Sequence, residues 1–492
     1  MKLTTPKNSN YCATVVKIKT IVQLKNCDNV QAAVIMGNQV IIDKSININD
    51  VGLYFPIECR LSEEYLKANN LYRKPELNSD VSKKGYFEEN GRVRCVKFRD
   101  NKSEGIFMPL SSLNSIEGLN LNLNEFSVND IFDEINGIPI CQKYIVINNR
   151  TTSKSSGGSK KNKKAIKSKI IENQFRFHDD TSMLFRNLHR FNENSLIHIS
   201  YKIHGTSAIA SKLLCKKPLK WYEKALKMIG LNIVDTHYDY VYASRKVIKN
   251  EDMNSGFYAC DIWKNGFDEL KDFLEDGMTI YYEIAGFLPN GAYIQPGYDY
   301  GHSLIDHSDE EIRIGDQVVK IKSNKPFKSG NKINTVKGII NHPELNIPAY
   351  TFEEDDSYVE CQRCYKYKPG KPFGIYIYRI TYTNPSGKVY EFSAPQVQQW
   401  CKKNGLGPVP ELFYGKVSDL IKEFSEEKFL NEIKSRWNDH KCFICKNDVP
   451  EEGCVVRLEG KDFEAYKVKS SLFYEYETKL LDQNVVDIEE NN

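Results

Sequence analysis

The chain has 492 residues, and its 68 basic and 65 acidic side chains leave a net charge of only +3, which excludes a uniformly basic nucleic-acid-binding protein. Its composition, 40% hydrophobic and 27% charged, is typical of a globular protein of roughly two to four domains. We expect an intracellular protein, cytoplasmic or nuclear and without membrane contact, because its start lacks a signal-peptide pattern and no apolar run is long enough to span a bilayer.

The sequence pattern of residues 1–150 predicts a small β-rich domain. Short runs of alternating apolar and polar residues indicate strands, a Gly37-Asn38 pair indicates a hairpin turn, and Ser62–Asn69 indicates one helix. The predicted strands are Ala13–Val22, Ala32–Met36, Gln39–Ile42, Gly52–Phe55 and Val93–Phe98. This content favours an OB-fold-like domain, with another small β-barrel as the alternative. Tyr54 and Phe55 are interpreted as core residues, with base stacking as the alternative.

We predict that residues 151–169 form a basic flexible linker, because they are rich in lysine, serine and glycine and have almost no apolar side chains. The lysines of this segment either add nonspecific affinity for phosphate or are simply solvated. Residues 170–480 then form a second domain, and 481–492 an acidic tail.

The second domain mixes strands and helices in an irregular order, which predicts an α+β fold. A helix over Lys220–Ile229 has its apolar residues on one face, and a longer helix is predicted over Ser418–Trp437. The predicted strands are Ser195–Tyr201, Ala208–Ala210, Val241–Ser244, Met278–Glu283, Gly374–Tyr382 and Gly453–Arg457.

Lys202 stands at the end of one of these strands in the run Lys202-Ile203-His204-Gly205-Thr206-Ser207. A lysine beside a glycine can act as a nucleophile towards a phosphate, provided that neighbouring cations or desolvation lower its pKa from an ordinary value of about 10.4. Lysines can stabilise the phosphoryl charge that develops, glutamates can hold a metal ion or ribose hydroxyls, and an aromatic ring can stack on a base. Residues of these types follow in chain order: Arg245, Glu283, Tyr376, Tyr378, Glu452, Lys467 and Lys469.

The ordered set resembles the covalent nucleotidyltransferases, which comprise ATP-dependent polynucleotide ligases and mRNA capping enzymes. His204 stands where capping enzymes and most DNA ligases carry aspartate, and the run resembles the RNA ligase 2 class. The domain order, with a β-rich domain before the catalytic domain, is similar to that of the Deinococcus- and Naegleria-type RNA ligases, which have an N-terminal OB domain. The resemblance implies an adenylyltransferase domain with ATP-grasp-like antiparallel sheets and helices. It extends to the segments Glu172–His178, Asp239–Arg245 and Asn447–Gly453.

The resemblance also implies a role for each residue. Lys202 would form the lysyl-AMP intermediate, and His204 would serve the later steps. Gly205 would let the nucleotide approach, and Arg245 would contact ribose or a 5′-phosphate. The remaining implied roles are ribose or metal binding for Glu283, adenine stacking for Tyr378 with Tyr376 as the alternative, metal coordination for Glu452, and phosphate binding for Lys467 and Lys469. Arg379 departs from the pattern, because related ligases can carry an acidic residue there.

The implied reaction joins RNA 3′-hydroxyl and 5′-phosphate ends with ATP and Mg²⁺ or Mn²⁺ as cofactors, in RNA repair. The alternatives are a DNA or nick-sealing ligase and a non-catalytic RNA-binding protein derived from a ligase. We expect a monomer.

Two Cys-x-x-Cys pairs, Cys361/Cys364 and Cys442/Cys445, have the spacing that lets both thiolates of a pair reach one Zn²⁺. The segment between the pairs is much longer than in a compact zinc ribbon. A structural zinc site is therefore one interpretation, and four reduced cysteines are the other.

Overall fold

The computed structural model describes residues 2–145, 169–178, 180–249, 261–288, 291–302 and 372–483, together with the backbone of short strands between 304 and 367. The predicted linker, apart from Lys169, and the end of the acidic tail lie outside these residues. Among the helices described, none has the length and apolar character needed to cross a membrane.

The N-terminal unit consists of short strands and one α-helix, α1 (Glu63–Ala68), which Ser62 caps by accepting a hydrogen bond from the Tyr65 N–H. Its strands are β1 (Leu3–Thr4), β2 (Ala13–Lys17), β3 (Ile21–Val22), β4 (Val30–Ile35), β5 (Asn38–Asp43), β6 (Val51–Phe55), β7 (Cys59–Leu61), β8 (Cys95–Phe98), β9 (Asn101–Glu104), β10 (Ile106–Pro109), β11 (Ile131–Phe132), β12 (Glu134–Ile135), β13 (Ile138–Pro139) and β14 (Cys141–Lys143).

These strands pair in separate small sheets, with orders β10-β6-β2-β11, β3-β4-β5, β1-β12-β13, β8-β9 and β14-β7. The described ladders do not join into one closed barrel, so the OB-fold remains a prediction. The hairpin turn lies one residue earlier than predicted. Ile35 pairs with Asn38, and the two turn residues, Met36 and Gly37, have positive φ angles of 51° and 74°. Tyr54 and Phe55 are buried core residues, as interpreted.

The first strand of the predicted second domain, residues 170–480, is β15 (Ser182–Met183), and the α+β character of this part of the chain is confirmed. The elements that follow are β16 (Leu196–Tyr201), β17 (Thr206–Lys216), α2 (Trp221–Met228), β18 (Thr236–Ser244), α3 (Ile262–Leu270), β19 (Met278–Gly286), β20 (Leu304–Asp306), β21 (Glu311–Ile314), β22 (Gln317–Lys320), β23 (Gly338–Ile340), β24 (Tyr350–Glu354), β25 (Val359–Cys361), β26 (Tyr365–Tyr367), β27 (Phe373–Thr383), β28 (Val389–Glu391), α4 (Ala394–Asn404), β29 (Glu411–Lys416), α5 (Val417–Leu420), α6 (Glu426–Trp437), β30 (Gly453–Leu458), β31 (Glu464–Lys469) and α7 (Ser471–Asp482).

Two five-stranded sheets organise this domain. One has the order β18-β17-β19-β27-β28 and is antiparallel, and the other has the order β15-β31-β30-β16-β29, with a parallel pair only at β15 and β31. Residues 202–205 carry the chain from β16 in the second sheet to β17 in the first. The predicted nucleophile therefore lies where the chain crosses between the two sheets.

The N-terminal unit is anchored on the second domain by hydrogen bonds. Asn10 Oδ1 accepts from the Met183 N–H at 2.8 Å, and Arg186 donates to Thr14 Oγ1 at 2.6 Å. Farther along the chain, Lys434 Nζ donates to the Gly37 carbonyl at 2.6 Å. The first unit thus contacts the neighbourhood of β31 from two sides. Strand β15 pairs with β31, and helix α6 packs in the same apolar cluster as β31.

The prediction of a single helix over Ser418–Trp437 is wrong, because the structure has two helices, α5 and α6, with a break between them. Ser425 is extended, with φ −143°, and its hydroxyl accepts a hydrogen bond from the Lys428 N–H at 3.1 Å. This contact caps α6 and requires a non-helical backbone at Ser425. The helix predicted over Lys220–Ile229 is confirmed as α2, although its Trp221 side chain is 81% exposed rather than packed.

Replacement of Ser425 by alanine is expected to destabilise the protein by about 1 kcal/mol, because the first turn of α6 loses its cap. The midpoint of urea unfolding, followed by circular dichroism, measures this. Ser435→Ala is the matched control, since Ser435 lies inside α6, is exposed, and bonds only the Glu432 carbonyl. Equal midpoints for Ser425→Ala and Ser435→Ala would contradict the capping role.

Candidate active site

One cavity collects nearly all the residues that the sequence singled out. Its lining includes Lys202, His204, Arg245, Glu283, Tyr378, Glu452, Lys467 and Lys469. They come from both five-stranded sheets and from the crossing segment between them. The N-terminal unit also reaches the cavity, through Asn10, Tyr11 and Lys143. Their common location is what the predicted constellation requires, while the role of each residue remains a prediction.

Lys202 forms an ion pair with Glu452, with 2.6 Å between Nζ and Oε1. The Lys202 N–H also donates to the Gly453 carbonyl at 3.0 Å, which ties the crossing segment to the start of β30. The side chain of Glu452 is only 5% exposed. Burial would raise the pKa of Glu452, but the positive charge of Lys202 and the nearby imidazole of His204 hold that pKa well below its ordinary value.

His204 lies on the other side of the same carboxylate, with 3.6 Å between its Nδ1 and Glu452 Oε2. Its ring packs edge-on against Tyr298 and Phe473, each with centroids 4.9 Å away. Its backbone N–H donates to the Tyr300 hydroxyl at 2.5 Å. His204 is therefore a buried part of the cavity wall that faces Glu452.

Gly205 is required by the close approach of two strands. A Cβ atom there would lie 2.3 Å from the Ile284 carbonyl oxygen and 2.8 Å from Glu283 Cγ. Immediately beyond it, Ser207 in β17 pairs with Glu283 in β19, which places Glu283 next to the crossing segment. Gly205 is not itself among the cavity-lining residues, so its contribution is to let β17 and β19 come together.

A β-bulge settles which of the two tyrosines reaches the cavity. Tyr281 pairs with Arg379 while Tyr282 pairs with Ile377, so Tyr378 is the extra residue of the bulge. The Tyr378 hydroxyl is 3.1 Å from Ser207 Oγ. The Tyr376 hydroxyl instead lies 3.3 Å from His302 Nε2, and Tyr376 is not among the cavity-lining residues.

Lys467 and Lys469 alternate with buried Val468 on β31, so both point to the cavity side of the strand. Lys469 is almost fully buried between two carboxylates, with Nζ 3.5 Å from Glu58 Oε1 and 3.3 Å from Glu477 Oε2. Glu58 belongs to the N-terminal unit. Burial opposes its ionisation, but Lys469 lowers the pKa of Glu58 to about 2.

Arg379, which departs from the ligase pattern, makes a bidentate ion pair with Glu391 of β28, with nitrogen–oxygen distances of 2.9 to 3.1 Å. Its guanidinium also lies over the rings of Phe463 and Tyr281, 4.2 and 4.7 Å from their centroids. The arginine therefore stabilises the wall behind the cavity.

Sequence reasoning missed several cavity residues. One of them is Asp180, which forms an ion pair with Arg245. Burial would raise the pKa of Asp180, but the positive charge of Arg245 lowers it below its ordinary value. His178 ends a segment that the resemblance covers, but no motif marked it as a cavity residue. Lys143 and Tyr11 come from the other domain. Only the tertiary fold joins these positions, so no local pattern could have identified them.

A divalent cation could be held at Glu452. Its Oε2 atom is buried and makes no hydrogen bond within the described residues. No group of three histidine, cysteine, aspartate or glutamate side chains suited to a metal occurs among the residues described. The arrangement fits an ion of the Mg²⁺ type, which binds one or two carboxylates and completes its coordination with substrate phosphates and water.

The predicted zinc site is only half within the described residues, because the side chains of Cys361 and Cys364 lie outside them. Cys442 and Cys445 lie close together, and the Cys445 N–H donates to Cys442 Sγ at 3.4 Å. The hydrogen bond from the Cys445 thiol lowers the pKa of Cys442 to about 6, although burial opposes this. Such a thiolate suits a metal ligand, and zinc binding remains a prediction.

Glu58→Gln tests the contact between Lys469 and the N-terminal unit. Because the pKa of Glu58 is depressed, its stabilising effect is full above the ordinary value of 4.5 and is lost as pH falls towards 2. We expect the variant to be less stable at pH 7 by about 3 kcal/mol, with the difference shrinking below pH 4.5. Urea midpoints across pH measure it. The exposed Glu63→Gln is the control, and a pH-independent difference would contradict the ion pair.

No protein-family model matches the chain, and no curated protein matches its sequence. Its fold is similar to that of the Naegleria gruberi RNA ligase. A lysine-to-alanine variant of that ligase with ATP and Mn is 13% identical, with TM-score 0.50, and the match covers 94% of this chain and 98% of the ligase chain. An aspartate-to-alanine variant in the apo state is 14% identical, with TM-score 0.51 and coverage of 96% and 99%. The chain therefore has an α+β fold similar to that of the Naegleria gruberi RNA ligase.

Proposed function

We propose that this protein is an ATP-dependent RNA ligase that joins 3′-hydroxyl and 5′-phosphate ends through a lysyl-AMP and an adenylylated 5′-end, in RNA repair. The observation that carries the proposal is Lys202, held at the crossing between two sheets, in one cavity with Glu452, Arg245 and the lysines of β31. The fold similarity to an RNA ligase over nearly the whole chain supports it.

In the first step, Lys202 Nζ attacks the α-phosphorus of ATP, a nitrogen–phosphorus bond forms, and pyrophosphate leaves. Lys202 must lose its proton for this attack, and its ion pair with Glu452 favours the protonated form. Glu452 must therefore give up that contact when the nucleotide binds. Lys467 and Lys469 can stabilise the charge on the phosphoryl oxygens, because they line the same cavity.

Glu452 would hold a divalent cation, Mg²⁺ or Mn²⁺. When bound, this cation would neutralise negative charge on the phosphates. Tyr378, Glu283 and Arg245 line the same cavity. Tyr378 is proposed to stack on adenine, Glu283 to bind ribose or the metal ion, and Arg245 to contact ribose or a 5′-phosphate. In the later steps AMP passes to the RNA 5′-phosphate, and a 3′-hydroxyl attacks that end and releases AMP. We propose that His204, which lines the cavity and lies beside Glu452, serves these later steps.

The N-terminal unit is proposed to bind the RNA as an OB-fold-like domain that precedes the catalytic domain, as in the Naegleria- and Deinococcus-type ligases. Lys143 supports this, because it projects from that unit into the cavity wall. We propose a monomer for the active form.

Incubation with ATP labelled in its α-phosphate, in the presence of Mn²⁺, is expected to give a labelled protein band. Lys202→Ala should abolish the band, because no other residue is proposed as the nucleophile. Lys212→Ala is the matched control, since Lys212 lies on β17, the strand that follows Lys202, but pairs with Asp276 at 2.8 Å and is not among the cavity-lining residues. Label that persists in Lys202→Ala would rule out this nucleophile.

The choice between RNA and DNA ligation requires a second assay, with nicked duplexes whose 3′-hydroxyl strand ends in RNA or in DNA. We expect sealing of the RNA-ended nick to be at least about tenfold faster, since a site that hydrogen-bonds a hydroxyl discriminates against its absence. The initial rate of sealed product measures this. Equal rates would favour the alternative of a general polynucleotide ligase.

A further inference from the structure

His178 lines the cavity and makes no hydrogen bond with any described residue. Its Nδ1 atom is buried without a partner in that part of the chain. The ring instead contacts three aromatic rings, with centroid distances of 5.8 Å to Tyr281, 5.1 Å to Tyr378 and 5.6 Å to Phe463. A buried polar nitrogen without a partner costs free energy, so its presence at a cavity wall indicates a ligand that satisfies it.

The ring is also neutral, which limits the chemistry of that ligand. Burial, followed by the positive charges of Arg379 and Arg245, lowers the pKa of His178 to about 3. A neutral imidazole has one N–H donor and one lone-pair acceptor. It therefore suits an uncharged polar edge rather than a phosphate, for which the same cavity provides lysines.

The surroundings of His178 fit a flat heterocycle. Tyr378 is held by its hydroxyl contact with Ser207, and Phe463 is covered by the Arg379 guanidinium, which Glu391 fixes from behind. Tyr378 and Phe463 therefore give the cavity an aromatic wall beside His178. The cationic side chains Lys202, Lys467 and Lys469 line the same cavity, so a molecule with a flat apolar base and a charged tail would match it.

We propose that His178 is a specificity-determining residue that accepts a hydrogen bond from the exocyclic amine of adenine through its unprotonated nitrogen. This assignment rests on the proposed function, since it places ATP in the cavity with its base against Tyr378. A base that lacks this amine leaves the imidazole lone pair unpaired and loses the contact. His178 thereby favours ATP over purine nucleotides without the amine.

The test compares two nucleotides with the full-length protein. ATP and purine riboside triphosphate, which lacks the exocyclic amine, each label Lys202, and kcat/KM is measured for wild type and His178→Phe. The phenylalanine keeps a ring against Tyr378 but removes both nitrogens. We expect about a tenfold loss with ATP and little change with the analogue, so that the variant loses the preference for ATP.

Two further variants make the result decisive. His237→Phe is the control, because His237 lies on β18 beside Asp239 and outside the cavity lining, and it should change neither value. His178→Asn keeps an acceptor and should restore part of the ATP preference; it also decides the matter if His178→Phe does not fold. An equal loss with both nucleotides, or no loss with either, overturns the assignment. A wild-type protein that forms no lysyl-nucleotide at all would instead overturn the proposed ligase function.

Discussion

The ion pair between Lys202 and Glu452 is the interaction around which the second domain is organised. It joins the segment that crosses between the two sheets to the strand that follows Glu452, and the backbone hydrogen bond from Lys202 to Gly453 reinforces the same junction. A buried carboxylate without a cation would be strongly disfavoured, so the lysine is fixed in place by the need to neutralise Glu452. The position of the proposed nucleophile is thus determined by electrostatics as well as by strand pairing.

The same principle applies to the other cationic side chains of the cavity. Lys469 is balanced by Glu58 and Glu477, and Arg245 by Asp180. These carboxylates keep the cations charged and ordered while they are largely removed from water. A triphosphate that enters must therefore compete with carboxylates that are already in place, which favours a ligand of high negative charge.

Part of this arrangement could be predicted from the sequence. Strand alternation placed Lys467 and Lys469 on one face, and the β-branched and apolar runs around Lys202 located the two strands that flank it, because such patterns are local. Glu58, Asp180 and His178 could not be found in this way, since each reaches the cavity only through contacts between residues distant in sequence. The bulge at Tyr378 and the break at Ser425 also escaped prediction, because each depends on a single contact that competes with a regular element.

The bulge has a consequence for the aromatic wall of the cavity. Without the extra residue, strict alternation along β27 would put Tyr376 and Tyr378 on the same face and in the same environment. The bulge separates them, so that Tyr376 packs with His302 while Tyr378 faces Ser207 and His178. It also brings Arg379 into register with Tyr281. There the guanidinium of Arg379 lies over the Phe463 ring, and its positive charge lowers the pKa of His178. One irregularity in strand pairing therefore brings Tyr378, and not Tyr376, to the aromatic rings beside His178 in the cavity wall.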